Sequence, residues 1–81
     1  MGYFIYILEC KDGTLYTGIT TDIERRVYEH NHLEKGAKYT RLRRPVKLVY
    51  TEESENRSSA SKREYAIKKL TRIEKLELID A

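Results

Sequence analysis

At 81 residues, 40% of them hydrophobic and 36% charged, the chain has no room for two cores and is too apolar for a disordered tail. Its longest apolar run, Phe4 to Leu8, falls far short of the roughly 20 residues a membrane span needs, so no membrane partner is expected. Nor does Met1-Gly2-Tyr3-Phe4 open a secretory signal. The single cysteine, Cys10, can neither form an internal disulfide nor hold a structural zinc alone, so a cytoplasmic single domain spanning 1–81 is the expectation.

Tyr3 to Cys10 is rich in aromatic and β-branched residues and reads as a strand. Lys11-Asp12-Gly13 signals a hairpin turn, and Thr14 to Thr20 is the returning strand. Thr21-Asp22-Ile23-Glu24 has the form of a capping box and predicts a helix with Ile23 and Val27 on its buried side. Gly36 is its expected stop. A basic loop follows, closed by Pro45. Val46 to Thr51 is a third strand in which Val46, Leu48 and Tyr50 alternate. Asn56 caps a second helix running to about Leu70. Thr71-Arg72-Ile73-Glu74 starts a third, whose apolar face is Ile73, Leu76 and Ile79.

The first strand is apolar on both faces, as a central strand is. These elements predict an α/β fold of order β-β-α-β-α-α, a three-stranded antiparallel sheet flanked by helices with the first strand in the middle.

The net charge is +3, from 16 basic and 13 acidic residues, but it is unevenly spread. Lys35, Lys38, Arg41, Arg43, Arg44 and Lys47 follow one another with no acid between them. With Tyr39 and Thr40 interleaved, this segment offers a phosphodiester backbone positive charge, a hydroxyl and an aromatic ring. A solvated loop is the plain alternative.

Several polar residues fit a core badly. A two-residue turn would throw Tyr6 and Tyr16 onto opposite faces. A three-residue Lys11-Asp12-Gly13 loop, with Gly13 left-handed, places Tyr16 opposite Leu8 and Gly18 opposite Tyr6. The second is favoured, and it leaves the Tyr6 ring facing open space above Gly18. Arg26 and His30, four apart, are neighbours about 6 Å along one helical face. Arginine offers a fixed cationic fork, and histidine exchanges protons near neutrality. Glu64, flanked by Ala60 and Ile67, projects from the apolar side of its helix, where a carboxylate needs a cation. A metal ion or an arginine from another element would serve, and so would a structural salt bridge with Arg26. His32 and Cys10 receive no role.

These residues together resemble a known family. Tyr6-Ile7-Leu8, then Tyr16-Thr17-Gly18, Arg26, His30 and a later Glu64 are similar to the motifs of the GIY-YIG nuclease superfamily over residues 2–78. Gly36-Ala37-Lys38-Tyr39-Thr40 with Arg44-Pro45-Val46 resembles its small stand-alone bacterial members, whose function is largely unassigned. The resemblance implies phosphodiester cleavage with one divalent metal, Mg²⁺ or Mn²⁺. It makes Tyr6, Tyr16, Arg26, His30 and Glu64 the catalytic candidates, with Glu64 the metal ligand. Phe4 stands where the family name has glycine, and Ile19 where other members often have lysine or serine. Nothing in these residues corresponds to the DNA-binding domains that give larger members their targets.

On this reading the substrate is nucleic acid, DNA ahead of RNA. Gly18, Lys38, Tyr39, Thr40, Arg41 and Arg44 are the candidate contacts to it. Either Tyr6 or His30 is the base for the attacking water. Two other readings stay open: a non-catalytic nucleic-acid-binding module on the same scaffold, and a protein-interaction domain.

Overall fold

The computed structural model describes residues 2–81. The hairpin strands are β1 (Tyr3–Glu9) and β2 (Leu15–Thr20), followed by α1 (Ile23–His32), α2 (Lys38–Arg41), β3 (Lys47–Ser54), α3 (Arg57–Lys68) and α4 (Arg72–Asp80). All pairings are antiparallel in the order β2-β1-β3, so the strand with two apolar faces is the central one, as expected. The order β-β-α-β-α-α holds, with the single turn of α2 added inside the segment expected to be a loop.

The three-residue turn forms. The Cys10 amide donates to the Thr14 carbonyl at 2.8 Å, and Gly13 takes the left-handed conformation at φ 84°. The Asp12 carboxylate accepts from both the amide and the hydroxyl of Thr14, at 3.1 and 2.6 Å. Leu8 therefore pairs with Tyr16, and Tyr6 with Gly18.

The sheet divides the core. On one face Ile5 and Ile7 pack with Ala60 and Ile67 of α3. On the other Tyr6, Leu8, Cys10 and Val46 pack with Tyr16 and with Ile23 and Val27 of α1. Ile5 through Leu8 are all buried, which explains an unbroken apolar run in the strand that carries Tyr6.

Several boundaries differ from expectation for identifiable reasons. The cap of α1 is Asp22, not Thr21. Asp22 takes the extended backbone a cap requires, and its carboxylate accepts from the Arg25 amide at 3.1 Å. Gly36 does not stop α1, which ends at His32. Gly36 is instead buried where the chain crosses back over the helix, and a Cβ there would lie 2.6 Å from the Glu29 carbonyl oxygen.

The third strand runs on to Ser54, and a bulge separates the Ile7–Tyr50 pair from the Leu8–Leu48 pair. One inserted residue reverses which face the side chains meet. Val46 thus joins the α1 side and Tyr50 the α3 side, while Leu48 is 40% exposed. On α4 only Ile79 of the expected stripe packs inward. Ile73 is 71% exposed, Leu76 is also exposed, and Leu78 and Ile79 of the last turn pack against the core. The Thr71 capping box itself forms, as does the Asn56 cap of α3. Among the described residues no helix is long and apolar enough to cross a membrane.

Candidate active site

The register of the hairpin creates the site. Because Gly18 sits opposite Tyr6 and has no side chain, the Tyr6 ring lies across it. An added Cβ would collide with the Tyr6 hydroxyl and come within 2.6 Å of Cζ. The space above Gly18 is therefore filled by the phenol, not open. Gly18 is buried beneath this ring, and its lack of a side chain is a packing requirement. Tyr16 stands beside Tyr6, ring centroids 6.5 Å apart.

His30 enters from α1. Its ring is fully buried, 5.7 Å from that of Tyr6 and 5.2 Å from that of Tyr16, both edge-on. Its Nε2 lies 2.8 Å from the Tyr6 hydroxyl and its Nδ1 2.8 Å from the Thr40 hydroxyl. Burial and the neighbouring Arg26 charge lower the imidazole to about 4. Burial pushes the Tyr6 phenol up to about 12, against the opposing pull of Arg26. In the resting protein the pair is a neutral phenol beside a neutral imidazole.

Arg26 is one turn before His30. Its Nη1 donates to Glu29 Oε1 and to the Lys35 carbonyl, both at 2.9 Å. Glu29, a buried carboxylate, also meets Lys35 Nζ at 3.4 Å and Arg25 Nε at 3.7 Å. The i+3 spacing of Glu29 from Arg26 is the sequence signal of this helical ion pair. Asn31 carries no such local signal. Its amide binds both the amide and the carbonyl of Val46, at 2.8 and 3.0 Å, and so pins the start of β3 to α1.

Glu64 lies on α3, flanked by buried Ala60 and Ile67 as its spacing predicts. Its cation is Lys68, 3.3 Å away on the same helix, and not Arg26. Its charge also bears on the Tyr6 phenol, helping to raise it.

The basic segment is largely spent inside the fold. Thr40 is fully buried, donates to the Ala37 carbonyl at 2.9 Å and meets His30, so it has no hydroxyl proton left for a phosphate. Arg44 donates to the carbonyls of Glu29, His30 and Leu33, where α1 ends. Tyr39 stacks on Tyr16 at 5.9 Å, and the Arg43 guanidinium covers its ring at 3.9 Å. Arg43 also binds Asp12, Lys35 binds Glu29 and Lys47 faces Glu9. Lys38 and Arg41 are exposed and carry no ion pair or side-chain hydrogen bond among the described residues.

A buried neutral histidine has a consequence in acid. Unfolded, His30 titrates near 6.5; folded, near 4. As pH falls, the unfolded chain takes the proton first, so stability present above about 6.5 drains away down to about 4. Between pH 7 and pH 5 the loss is expected to be about 2 kcal/mol, read by urea denaturation. Carboxylates such as Glu29 and Glu52, held below their usual range by arginine partners, titrate lower and contribute little to that window. His30→Gln should be nearly flat across it; an equal slope in that variant would place the proton elsewhere.

A family model described as the GIY-YIG catalytic domain matches residues 2–77. A UPF0213 protein of Desulfotalea psychrophila is 62% identical over 79 residues, covering 98% of this chain and 72% of its own length. Another, from Staphylococcus saprophyticus, is 56% identical over 77 residues, covering 95% and 93%. The solution NMR structure of a UPF0213 protein from Bacillus halodurans superposes with a TM-score of 0.63 at 48% identity, over 99% of this chain and 84% of that one. A second NMR structure, from E. faecalis, gives 0.64 at 48% identity, over 96% and 83%. On the family-model match over nearly the whole chain and the identity with these relatives, the chain belongs to the GIY-YIG nuclease superfamily.

Proposed function

We propose that this protein hydrolyses phosphodiester bonds in nucleic acid, DNA ahead of RNA, with one Mg²⁺ or Mn²⁺ held by Glu64. The observation that carries this is the Tyr6–His30 hydrogen bond at 2.8 Å, with Arg26 and the Glu64 charge both acting on the same phenol. Among the described residues no three His, Cys, Asp or Glu side chains converge to cage an ion. That donor set is wrong for zinc. It suits a hard ion that keeps several waters and accepts one carboxylate together with substrate oxygens. The partly exposed Lys68 pair is a weak competitor for the carboxylate. Held at Glu64, such an ion would neutralise charge on the phosphate and on the leaving oxygen.

The side chains supply the rest. His30 is fully buried and would act through its bond to the Tyr6 hydroxyl; Tyr6 is itself only 1% exposed, so the bound substrate must deliver the attacking water to that hydroxyl. With the phenol pushed up to about 12, free phenolate is scarce at neutral pH, and the 2.8 Å bond to His30 Nε2 offers the Tyr6 proton an acceptor, which supports a relay. The water proton passes to Tyr6 Oη as the Tyr6 proton passes to His30 Nε2. The water oxygen attacks phosphorus, the ester bond breaks, and the leaving oxygen takes a proton from solvent. Arg26, held by Glu29, faces the charge that grows on the phosphate, and Tyr16 donates to the same group.

The test is cleavage of end-labelled single- and double-stranded DNA, with and without Mg²⁺ or Mn²⁺. Glu64→Ala should abolish metal-dependent cutting while leaving the melting temperature nearly unchanged. Equal cutting by both proteins sinks the reading. The binding-module alternative gains little support, because among the described residues only Lys38 and Arg41 of the basic segment's cations are without a partner.

A further inference from the structure

We infer that Thr40 is a positioning residue that locks His30 in the tautomer able to accept the Tyr6 proton, a role that rests on the relay proposed above. Each hydroxyl in the chain Tyr6–His30–Thr40–Ala37 has one hydrogen, and a neutral imidazole has one N–H. The Thr40 hydroxyl lies 2.9 Å from the Ala37 carbonyl, which can only accept. The Thr40 hydrogen therefore goes there, and its oxygen must accept from His30. The proton of His30 is then on Nδ1, 2.8 Å away. Nε2 is left bare, and the Tyr6 hydroxyl at 2.8 Å donates to it.

The reverse arrangement is disfavoured at both ends. If Thr40 donated to Nδ1, its oxygen would face the Ala37 carbonyl oxygen at 2.9 Å with no hydrogen between them, although that carbonyl would keep the Thr40 and Arg41 amides at 3.1 Å. An N–H at Nε2 would point at Tyr6, and the phenol could pass no proton to the ring. Arg26, the other neighbour of the phenol, has no lone pair to offer. One contact argues the other way: the Ala37 amide lies 3.4 Å from Nδ1. At that length it is weaker than the 2.9 Å Thr40–Ala37 bond that the reverse arrangement gives up. Tyr6, His30 and Thr40 are all buried, where water is a poor substitute for a missing partner.

The Ala37 amide makes the test sharp. In Thr40→Val the acceptor beside Nδ1 is gone, and the donor that remains nearby is that amide. Nδ1 should become the bare nitrogen and the ring should switch to the Nε2–H form.

Long-range ¹H–¹⁵N correlation spectra of the labelled protein at pH 7 distinguish the two neutral tautomers directly. Wild type should show His30 mainly as Nδ1–H, Thr40→Val mainly as Nε2–H, and Thr40→Ser should restore the first. In DNA cleavage, Thr40→Val should lower kcat about 10- to 100-fold with KM unchanged, and Thr40→Ser should recover most of it. A merely structural threonine would move the melting temperature and leave the tautomer alone.

Nε2–H in wild type, or no change of tautomer in Thr40→Val, overturns the inference. If Thr40→Val does not fold, the wild-type and Thr40→Ser spectra decide. If the tautomers switch as stated but no variant nor wild type cuts DNA, the lock stands and the nuclease reading falls.

Discussion

Tyr6→Phe is expected to keep the fold and lose about 10²- to 10⁴-fold in cleavage rate. The ring that packs across Gly18 is retained, so no cavity opens on the α1 face. What disappears is the hydroxyl bonded to His30 Nε2. The Nε2 lone pair is then buried with no donor, which costs about 1–3 kcal/mol and should lower the melting temperature by several degrees. Rate and stability respond to one atom but separate by size. The stability loss is what any buried orphan acceptor produces, whereas a rate loss of this order requires that protons travel through the phenol. The double variant Tyr6→Phe/His30→Gln should cut no more slowly than Tyr6→Phe, because the second residue acts through the first. Additive losses would mean that the two act independently and would break the relay. Single-turnover cleavage and urea denaturation on the same preparations provide both readings.

Arg44→Ala is expected to destabilise the protein by about 2–3 kcal/mol and to leave the salt dependence of DNA binding unchanged. Its guanidinium donates to the carbonyls of Glu29, His30 and Leu33 where α1 ends; the first and last of these also take the Leu33 and Gly36 amides. Removing it strips donors from a helix terminus and a positive charge from the negative end of the helix dipole. Arg41→Ala should do the opposite. An exposed side chain with no ion pair should cost under about 0.5 kcal/mol. Its loss should make the slope of log K against log salt shallower by about 0.9 on duplex DNA. Denaturation curves and anisotropy titrations over a range of KCl separate the two. A shallower salt slope in Arg44→Ala would return that residue to the nucleic-acid surface.

The contrast between these two arginines shows where the chain could be read directly. The hairpin register, the caps at Asn56 and Thr71 and the central place of β1 follow from turn chemistry, capping spacing and a two-faced apolar strand, all of which act within a few residues. The register alone aligned Tyr6 with Gly18 and brought Tyr16 to the same face. The helical spacing of Arg26 and His30 put both on α1 facing that side. In this way the core of the candidate site was legible before any coordinates.

The fate of residues 35–47 was not. Six positive charges in a row describe a basic segment, but a guanidinium takes whichever acceptor the folded chain brings to it. The end of α1, the β1–β2 loop and the Glu29 carboxylate are separated from their arginine and lysine partners in sequence and meet them only when α1 packs on the sheet. The bulge between Ile7 and Leu8 is of the same kind: Val46, Leu48 and Tyr50 alternate in the sequence, and only the pairing partner shows that one residue too many lies opposite. Local periodicity and turn chemistry thus determined the elements and the motif face. Long-range hydrogen bonding, which has no periodicity, decided which polar residues hold the site together and which remain free to meet a substrate.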